Sequence, residues 1–285
     1  MVKPFAHDSP LRFGAIALGQ QVDMRFAYVH PNLPSQISHI PGTLCNINCD
    51  IKGNVMKKIH IIIMIMILSG FFMLRQSVES KYEHSKSINE KIKLPKPNYD
   101  SNTSVEKALR ERRSIRKYKD EALTLAEVSQ LLWAAQGITD PRGLRTAPSA
   151  GALYPLEVYV VIGNVEGLTK GVYKYKPHGH ELVKVRSGDV RDELSVAALG
   201  QPWVKEGSIV IVFSAVYERT TQKYGNRGIR YVHIEVGHAA QNVYLQAVSL
   251  NLGTVVVGAF RDDEVRKILN VLDEEHPLCI MPVGK

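Results

Sequence analysis

An α+β domain is predicted over residues 104–285, and three observations carry the prediction. Ser208–Ala215 is a nearly all-apolar run, the mark of a central strand covered on both faces. Val172–Tyr175 and Leu182–Val185 flank Pro177-His178-Gly179, which reads as a hairpin. Around these strands lie segments with helix-start and helix-stop signals, the longest being Arg230–Leu250.

Taken in order, residues 1–55 hold no sustained helical or strand periodicity. Pro4, Pro10, Pro31, Pro34 and Pro41 interrupt any element there. The segment reads as unstructured, or as upstream sequence ahead of a natural start at Met56. Residues 56–80 read as a signal peptide or membrane anchor. Met56-Lys57-Lys58 supplies a basic start, Ile59–Leu74 an apolar run, and Val78-Glu79-Ser80 a small-residue cleavage site. The run of about 16 residues is shorter than the roughly 20 that cross a bilayer, which favours a cleaved signal over a retained anchor. Residues 81–103, rich in Lys, Ser, Asn and Pro, read as a linker.

Ser104 then caps a helix through Arg112, with Glu106 near its start, and Thr124 caps Leu125–Gln136, stopped by Gly137. Glu157–Ile162 is a strand, followed by the hairpin. Asp189 opens a helix to about Leu199, the central strand comes next, and the long helix ends at Asn251 and Gly253. A strand (Thr254–Val257), a helix (Asp262–Leu269) and a strand (Leu278–Val283) complete the domain. No internal repeat is present.

Composition excludes several functions. Apolar residues make up 45% and charged residues 22% of the 285, so the chain can bury a core. The net charge of +8 does not describe a nucleic-acid surface. Through Thr103 there are 12 Lys/Arg against 7 Asp/Glu, and beyond it 24 against 21, so most of the excess lies beside the apolar run. Cys45, Cys49 and Cys279 are too few and too uneven for a disulfide framework. Cys45 and Cys49, with His39 nearby, lack a second ligand pair for zinc. Glu235-Val236-Gly237-His238 has the spacing of a di-iron pair, but such bundles need two pairs and only one is present. His178 and His180 lack a third ligand, so no metal site is expected. Neither a Rossmann nor a P-loop glycine motif occurs. Trp133, Tyr154, Tyr231 and Tyr244 read as core or cofactor-wall aromatics.

Three short segments carry chemistry. Arg112-Arg113-Ser114-Ile115-Arg116 places three guanidiniums and a hydroxyl within five residues, which suits a phosphate and a polar sugar chain. Taken alone, it could equally be a solvated basic helix end. In Pro148-Ser149-Ala150-Gly151, small residues would let backbone approach a flat ligand closely; a tight turn into the next strand would look the same. Gly258-Ala259, at the end of a strand, could present bare N–H groups to an acceptor atom, or simply end the strand.

The order and spacing of these blocks resemble the nitroreductase superfamily, most closely its azoline dehydrogenase branch of the SagB/ThcOx type. The matching text is Arg-Arg-Ser-Ile-Arg-Lys-Tyr, Gln-Leu-Leu-Trp-Ala-Ala-Gln-Gly, Ala-Pro-Ser-Ala-Gly-Ala-Leu-Tyr-Pro, Lys-Tyr-Gly-Asn-Arg-Gly, Glu-Val-Gly-His-Ala-Ala-Gln-Asn and Met-Pro-Val-Gly. It covers about residues 104–285 and none of 1–100. The resemblance implies a central, mainly antiparallel sheet flanked by helices, in a homodimer that binds FMN at its interface. Arg112, Arg113, Ser114 and Arg116 would bind FMN, Arg112 towards the phosphate and Arg116 near the N1/O2 edge of the ring, where a cation makes the flavin easier to reduce. Pro148, Ser149, Ala150 and Gly151 would reach the flavin of the partner subunit, and Gly258 and Ala259 would lie beside N5. Lys223 and Tyr224 match a pair associated with catalysis in the azoline dehydrogenases, where an amine or phenol could remove a proton as hydride leaves.

Two departures qualify what the resemblance implies. Relatives often continue past Met-Pro-Val-Gly with basic residues that grip the phosphate, and here Lys285 is the candidate for that role. No peptide-binding domain precedes residue 104, which argues against a ribosomal peptide as substrate. The leading expectation is hydride transfer from NAD(P)H to a nitroaromatic, a quinone or a similar acceptor. Dehydrogenation of an azoline-like substrate and flavin binding without turnover are the alternatives. The apolar run puts the domain outside the cytoplasm, cleaved or membrane-anchored, with a cytoplasmic location as the other reading; membrane contact is expected only through residues 59–74 if they are retained.

Overall fold

The computed structural model describes residues 57–76 and 89–285. The readings made for residues 1–55, for the cleavage site at 78–80 and for His39, Cys45 and Cys49 lie outside the described residues. Helix α1 (Lys57–Gln76) has 20 residues, a length of about 30 Å, which matches the hydrocarbon thickness of a bilayer. It is longer than the apolar run because Lys57, Lys58, Arg75 and Gln76 extend it at both ends. Its apolar side chains, including Ile61 to Leu68 and Phe71 to Leu74, are exposed.

The chain from Asn89 onward forms a seven-stranded sheet. Its strands are β1 (Lys91–Lys93), β2 (Leu156–Ile162), β3 (Gly171–Lys176), β4 (Glu181–Ser187), β5 (Ile209–Ala215), β6 (Gly253–Thr254) and β7 (His276–Gly284). They lie in the order β1-β4-β3-β2-β5-β7-β6, and every ladder is antiparallel. The helices are α2 (Val105–Glu111), α3 (Leu125–Gln136), α4 (Arg191–Ala197), α5 (Pro202–Glu206), α6 (Glu218–Tyr224), α7 (Arg227–Ser249) and α8 (Asp262–Leu269).

Period-two alternation explains why β5 is apolar throughout. Ile209, Ile211 and Phe213 pack into one core with Leu131, Leu132 and Ala135 of α3 and Val232, Ala239 and Val243 of α7. Val210 and Val212 point the other way, into a second core with Leu194 of α4, Val204 of α5 and Val265 and Leu269 of α8. Both faces are covered, so no position on the strand is left for a polar side chain except Ser214. The predicted starts at Ser104 and Thr124 hold. Ser104 accepts from Lys107 N–H at 3.1 Å, and Thr124 with Glu127 makes a full capping box.

Four readings are corrected. The linker assigned to residues 81–103 does not describe its part from Asn89 onward. There β1 pairs with β4, Leu94 is buried, the Asn98 N–H donates to Gln130 Oε1 at 2.8 Å, and Pro95 O accepts from Ser129 Oγ at 2.6 Å. Its polar composition hid a segment held by partners distant in sequence. The helix opened by Asp189 starts at Arg191, because the Asp189 carboxylate turns onto the Arg191 side chain and N–H instead of capping a longer helix. The long helix starts three residues earlier than expected and is preceded by α6. Lastly, only Thr254 of the expected strand 254–257 joins a ladder, together with Gly253 before it, and Val257 makes a lone bridge to Ile280. The chain leaves the sheet between them, where the Val256 N–H donates to the Tyr244 hydroxyl at 2.8 Å.

Candidate functional site

The Arg112–Arg116 segment follows α2 and runs along the β6 edge, where the Ile115 N–H donates to Thr254 O at 2.9 Å. Glycine at 253 makes this approach possible, since a Cβ there would come within 2.6 Å of the Ile115 side chain. The result is a row of polar groups gathered on Tyr244 of α7. Ser114 Oγ and Tyr244 Oη are 3.2 Å apart, and the Arg112 guanidinium lies 5.1 Å from the Tyr244 ring centre. Arg116 lies 5.4 Å from the Trp203 ring centre. Among the described residues neither Arg112 nor Arg116 takes part in an ion pair, so both cations remain available to an anion. Arg113 does not join them. Its Nη1 donates to Arg110 O at 2.9 Å and to Arg112 O at 2.7 Å, closing the C-terminus of α2.

Beyond Val256 the row continues into exposed Gly258 and Ala259, with Ala259 O accepting from Gln201 Nε2 at 3.1 Å. Open space surrounds Gly258 where a side chain would stand. Lys285 is nearby through its backbone, its O accepting from the Lys119 N–H at 2.6 Å.

A second cluster forms around residues 148–154. Gly151, Ala152 and Tyr154 all have positive φ, of 64°, 54° and 47°, and Ser149 Oγ accepts from the Tyr154 N–H at 2.9 Å. Glycine is favoured at 151 on both counts. Its φ is left-handed, and a Cβ would meet Tyr224 Oη at 2.8 Å and Lys223 Nζ at 3.1 Å. The structure thus brings the Pro148–Gly151 loop and the Lys223–Tyr224 pair together within one chain. Tyr224 also packs edge-on to Tyr231, with ring centres 5.2 Å apart.

Helix α6, which carries the pair, is tied to the sheet. Arg219 donates to Tyr154 O at 3.1 Å and pairs with Glu157 of β2. Glu157 pairs in turn with Lys174 at 3.2 Å, which also reaches Glu275 at 2.7 Å. Burial raises the Glu157 pKa, but Lys174 and Arg219 outweigh it and hold the carboxyl below its ordinary value.

Two residues of these clusters were not singled out from sequence as site residues. Tyr244 read as a core or wall aromatic. Glu235, rejected as half of a di-iron pair, is buried beside Ser149 and Arg145. Its spacing from Val232, Ala239 and Val243 puts it on the apolar face of α7, which is the signal that could have marked it. Among the described residues no cluster could hold a metal.

The two clusters attach to different parts of α7. Ser149 meets Glu235, and Ser114 meets Tyr244, nine residues further on. That separation is two and a half turns, about 13.5 Å along the axis.

Comparison with known proteins adds to this geometry. Residues 109–285 match the model of the nitroreductase family. The chain is 54% identical over 181 residues to the nitroreductase candidate MJ1384 of Methanocaldococcus jannaschii, covering 64% of this chain and 90% of that protein. It is 29% identical to the microcin B17-processing protein McbC of Escherichia coli over 52% of this chain and 57% of McbC. With the FMN reductase (NADPH) of Bacillus subtilis strain 168 it shares 26% identity, over 64% of this chain and 66% of that one. The crystal structure of a nitroreductase candidate from Ralstonia eutropha JMP134 superposes with a TM-score of 0.62 at 29% identity, covering 70% of this chain and 90% of that one.

Proposed function

The chain belongs to the nitroreductase family, and on that premise we propose that it is an FMN-dependent oxidoreductase, passing hydride or two electrons between NAD(P)H and a small organic acceptor such as a nitroaromatic or a quinone. The observation that carries the proposal is the row of Arg112, Ser114 and Arg116 along the β6 edge. It offers a hydroxyl and two cations that have no carboxylate partner among the described residues, and it leads to the exposed backbone at Gly258 and Ala259. This donor set fits a phosphate, a polyhydroxylated chain and a flat ring in that order. Bound there, FMN would supply two-electron redox chemistry.

The residues then have separate tasks. Arg112 neutralises the phosphate, with Lys285 adding charge from the chain end. Ser114, held by Tyr244, donates to the sugar chain. Arg116 keeps a positive charge beside the ring, and Gly258 and Ala259 leave room for it. Pro148, Ser149, Ala150 and Gly151 cover the ring of a second copy in a homodimer. Lys223 Nζ or Tyr224 Oη moves a proton to or from the substrate. We also read α1 as the segment that places the domain outside the cytoplasm, cleaved or anchored.

A second reading, dehydrogenation of an azoline-like substrate, is favoured by one observation: Lys223 and Tyr224 lie side by side against Gly151, and the similarity to McbC supports it. The test uses the full chain in detergent. Its chromophore is released by heat and identified by mass, and its absorbance is followed anaerobically with NADH and with NADPH. FMN that bleaches with either nucleotide is the expected result. FMN that bleaches only with an azoline substrate, in a manner lost in Lys223→Ala and Tyr224→Phe, would favour the second reading. FMN that bleaches with no donor tried leaves a flavin-binding protein without turnover, and a colourless protein that takes up no FMN would overturn all three.

A further inference from the structure

His180 closes the turn between β3 and β4 in a left-handed conformation, with φ 43°, and hydrogen bonds enclose its ring. Nε2 lies 2.9 Å from Pro95 O and 2.7 Å from Ser129 Oγ of α3. Nδ1 lies 2.9 Å from Tyr175 Oη of β3. A carbonyl oxygen only accepts, so the contact with Pro95 O puts the ring hydrogen on Nε2. Nδ1 is then bare and accepts from the Tyr175 hydroxyl, while the Ser129 hydroxyl donates to the same Pro95 O at 2.6 Å. With a neutral ring every member of the group has a partner. Ser129 and Tyr175 are each 1% exposed, so the group ties elements together and does not present a nucleophile to solvent.

The segment it ties is the strap Asn89–Tyr99, which crosses the hairpin and α3. Within it β1 pairs with β4, the Leu94 N–H donates to His180 O at 3.1 Å, and Lys93 Nζ donates to Gly179 O. Further on, Asn98 N–H donates to Gln130 Oε1 at 2.8 Å, and Asn98 O accepts from Gln130 Nε2 at 2.9 Å. Asn98 and Tyr99 form one wall of a cavity of about 580 Å³, closed on its other sides by Gln130 and Trp133 of α3 and Asn242 and Gln246 of α7.

We propose that His180 is a proton-operated latch on this strap: the neutral ring holds residues 89–99 against the hairpin and α3, and a proton on Nδ1 releases them and opens that wall of the cavity. Once protonated, Nδ1 points a hydrogen at Tyr175 Oη, which must turn its own hydrogen away. Among the described residues Tyr175 Oη has no second hydrogen-bond partner to receive it. Release of the strap returns the cation to water and the hydroxyl to its choice of acceptors. The neighbouring charges do not offset this. Lys93 of the strap bears on His180 and opposes a second cation. Glu181 of β4 is paired with Lys91 at 3.3 Å, Glu127 of α3 is turned onto Thr124, and Lys176 and His178 of the same turn do not bear on the ring. Burial and then Lys93 lower the His180 pKa below its ordinary 6.5, against the opposing pull of the Pro95 carbonyl. The released strap therefore takes up a proton at a pH where the latched one does not. The stability contributed by the latch is fully present above about 6.5 and is lost as pH falls below it, through the value of the latched ring.

The experiment uses the full chain in detergent, without flavin or substrate, so its result does not depend on the functional reading above. Hydrogen–deuterium exchange is measured at pH 7.5 and 5.5, corrected for intrinsic exchange, over residues 89–99 and over β5 as an internal control. Strap protection in the wild type should fall severalfold on acidification, by at most about tenfold per pH unit for a single proton, while β5 protection is retained. In His180→Gln, whose amide can donate to Pro95 O but takes up no proton, the fall should disappear. In His180→Ala the strap should be poorly protected at both pH values. Strap protection that does not change with pH in the wild type would overturn the proposal, as would a fall that persists in His180→Gln or one that β5 shares.

Discussion

At Tyr244 one hydroxyl joins three stretches of chain: α7, the Ser114 loop and the Val256 turn. It receives the Val256 N–H and shares a hydrogen with Ser114, so both neighbours keep fixed positions before any ligand arrives. Arg112 lies over the face of the same ring. Two substitutions separate structure from binding. Arg112 is exchanged for a small residue at little structural expense, because among the described residues it has no ion pair. A charged contact to phosphate contributes on the order of 1.5–3 kcal/mol, so Arg112→Ala should weaken FMN binding by about ten- to a hundredfold in a fluorescence-quenching titration, with the melting temperature nearly unchanged. Tyr244→Phe should instead destabilise the fold by about 0.5–1.5 kcal/mol through loss of the hydrogen bond from the Val256 N–H. An Arg112→Ala protein that binds FMN like the wild type would remove the phosphate role. The sequence exposed Arg112 and Ser114 because charge and hydroxyl clustered locally in one pentapeptide. It did not expose Tyr244 or Glu235, since a helix position reveals its face but not the loop it will meet. Arg113 shows the converse. Its neighbours made it look like a ligand, and only the position of the α2 carbonyls shows that its guanidinium is engaged there.

Elements were legible in the sequence where their ends are encoded locally. Thr124, Glu127 and Gly137 bound α3 through a capping box and a glycine stop, and all three lie within the segment they define. The short elements were missed for the opposite reason. Helices α5 and α6 have no side-chain cap at their starts, and β1 exists because the edge of β4 pairs with it. Helix α1 is legible by composition alone, and the remaining question is what it does. Twenty residues suffice to span a bilayer, while the basic start at Lys57-Lys58 also suits a signal. No Arg-Arg pair precedes the apolar run, so the route for folded, cofactor-loaded proteins is not indicated, and FMN would have to be met outside. Alkaline phosphatase fused after Lys96 should be active in cells. A reporter that fluoresces only in the cytoplasm, placed at the same point, should stay dark. Strong fluorescence with no phosphatase activity would place the domain inside, and a mature N-terminus near Lys81 would show cleavage rather than anchoring.

For the molecule as a whole, the two clusters on α7 determine what a single chain can do. The Tyr244 cluster holds the groups suited to phosphate and sugar, and the Ser149 cluster holds the loop and the Lys223–Tyr224 pair. About 13.5 Å of helix separates their anchors, and they attach to opposite edges of its buried face. On the proposed reading, one chain presents two half-sites. In a two-fold dimer every contact occurs twice with the roles exchanged, so a dimer in which α7 crossed its own copy in antiparallel sense would bring the Tyr244 half of one chain to the Ser149 half of the other. Two equal, complete sites would result. Helix α7 also keeps Ile229 and Ile234 exposed, at 43% and 49%, apolar surface that such a contact would cover. The prediction is a dimer whose assembly and flavin content rise together. Sedimentation velocity of the detergent-solubilised chain, recorded at the protein and flavin absorbance bands, should show one dimeric boundary carrying FMN at micromolar concentration. Ile234→Glu should shift the boundary towards monomer and release FMN in proportion, although the Arg112 cluster of each chain remains intact. A monomer that holds FMN stoichiometrically would mean that the half-site at Tyr244 is sufficient, and that the loop at Pro148–Gly151 serves its own chain.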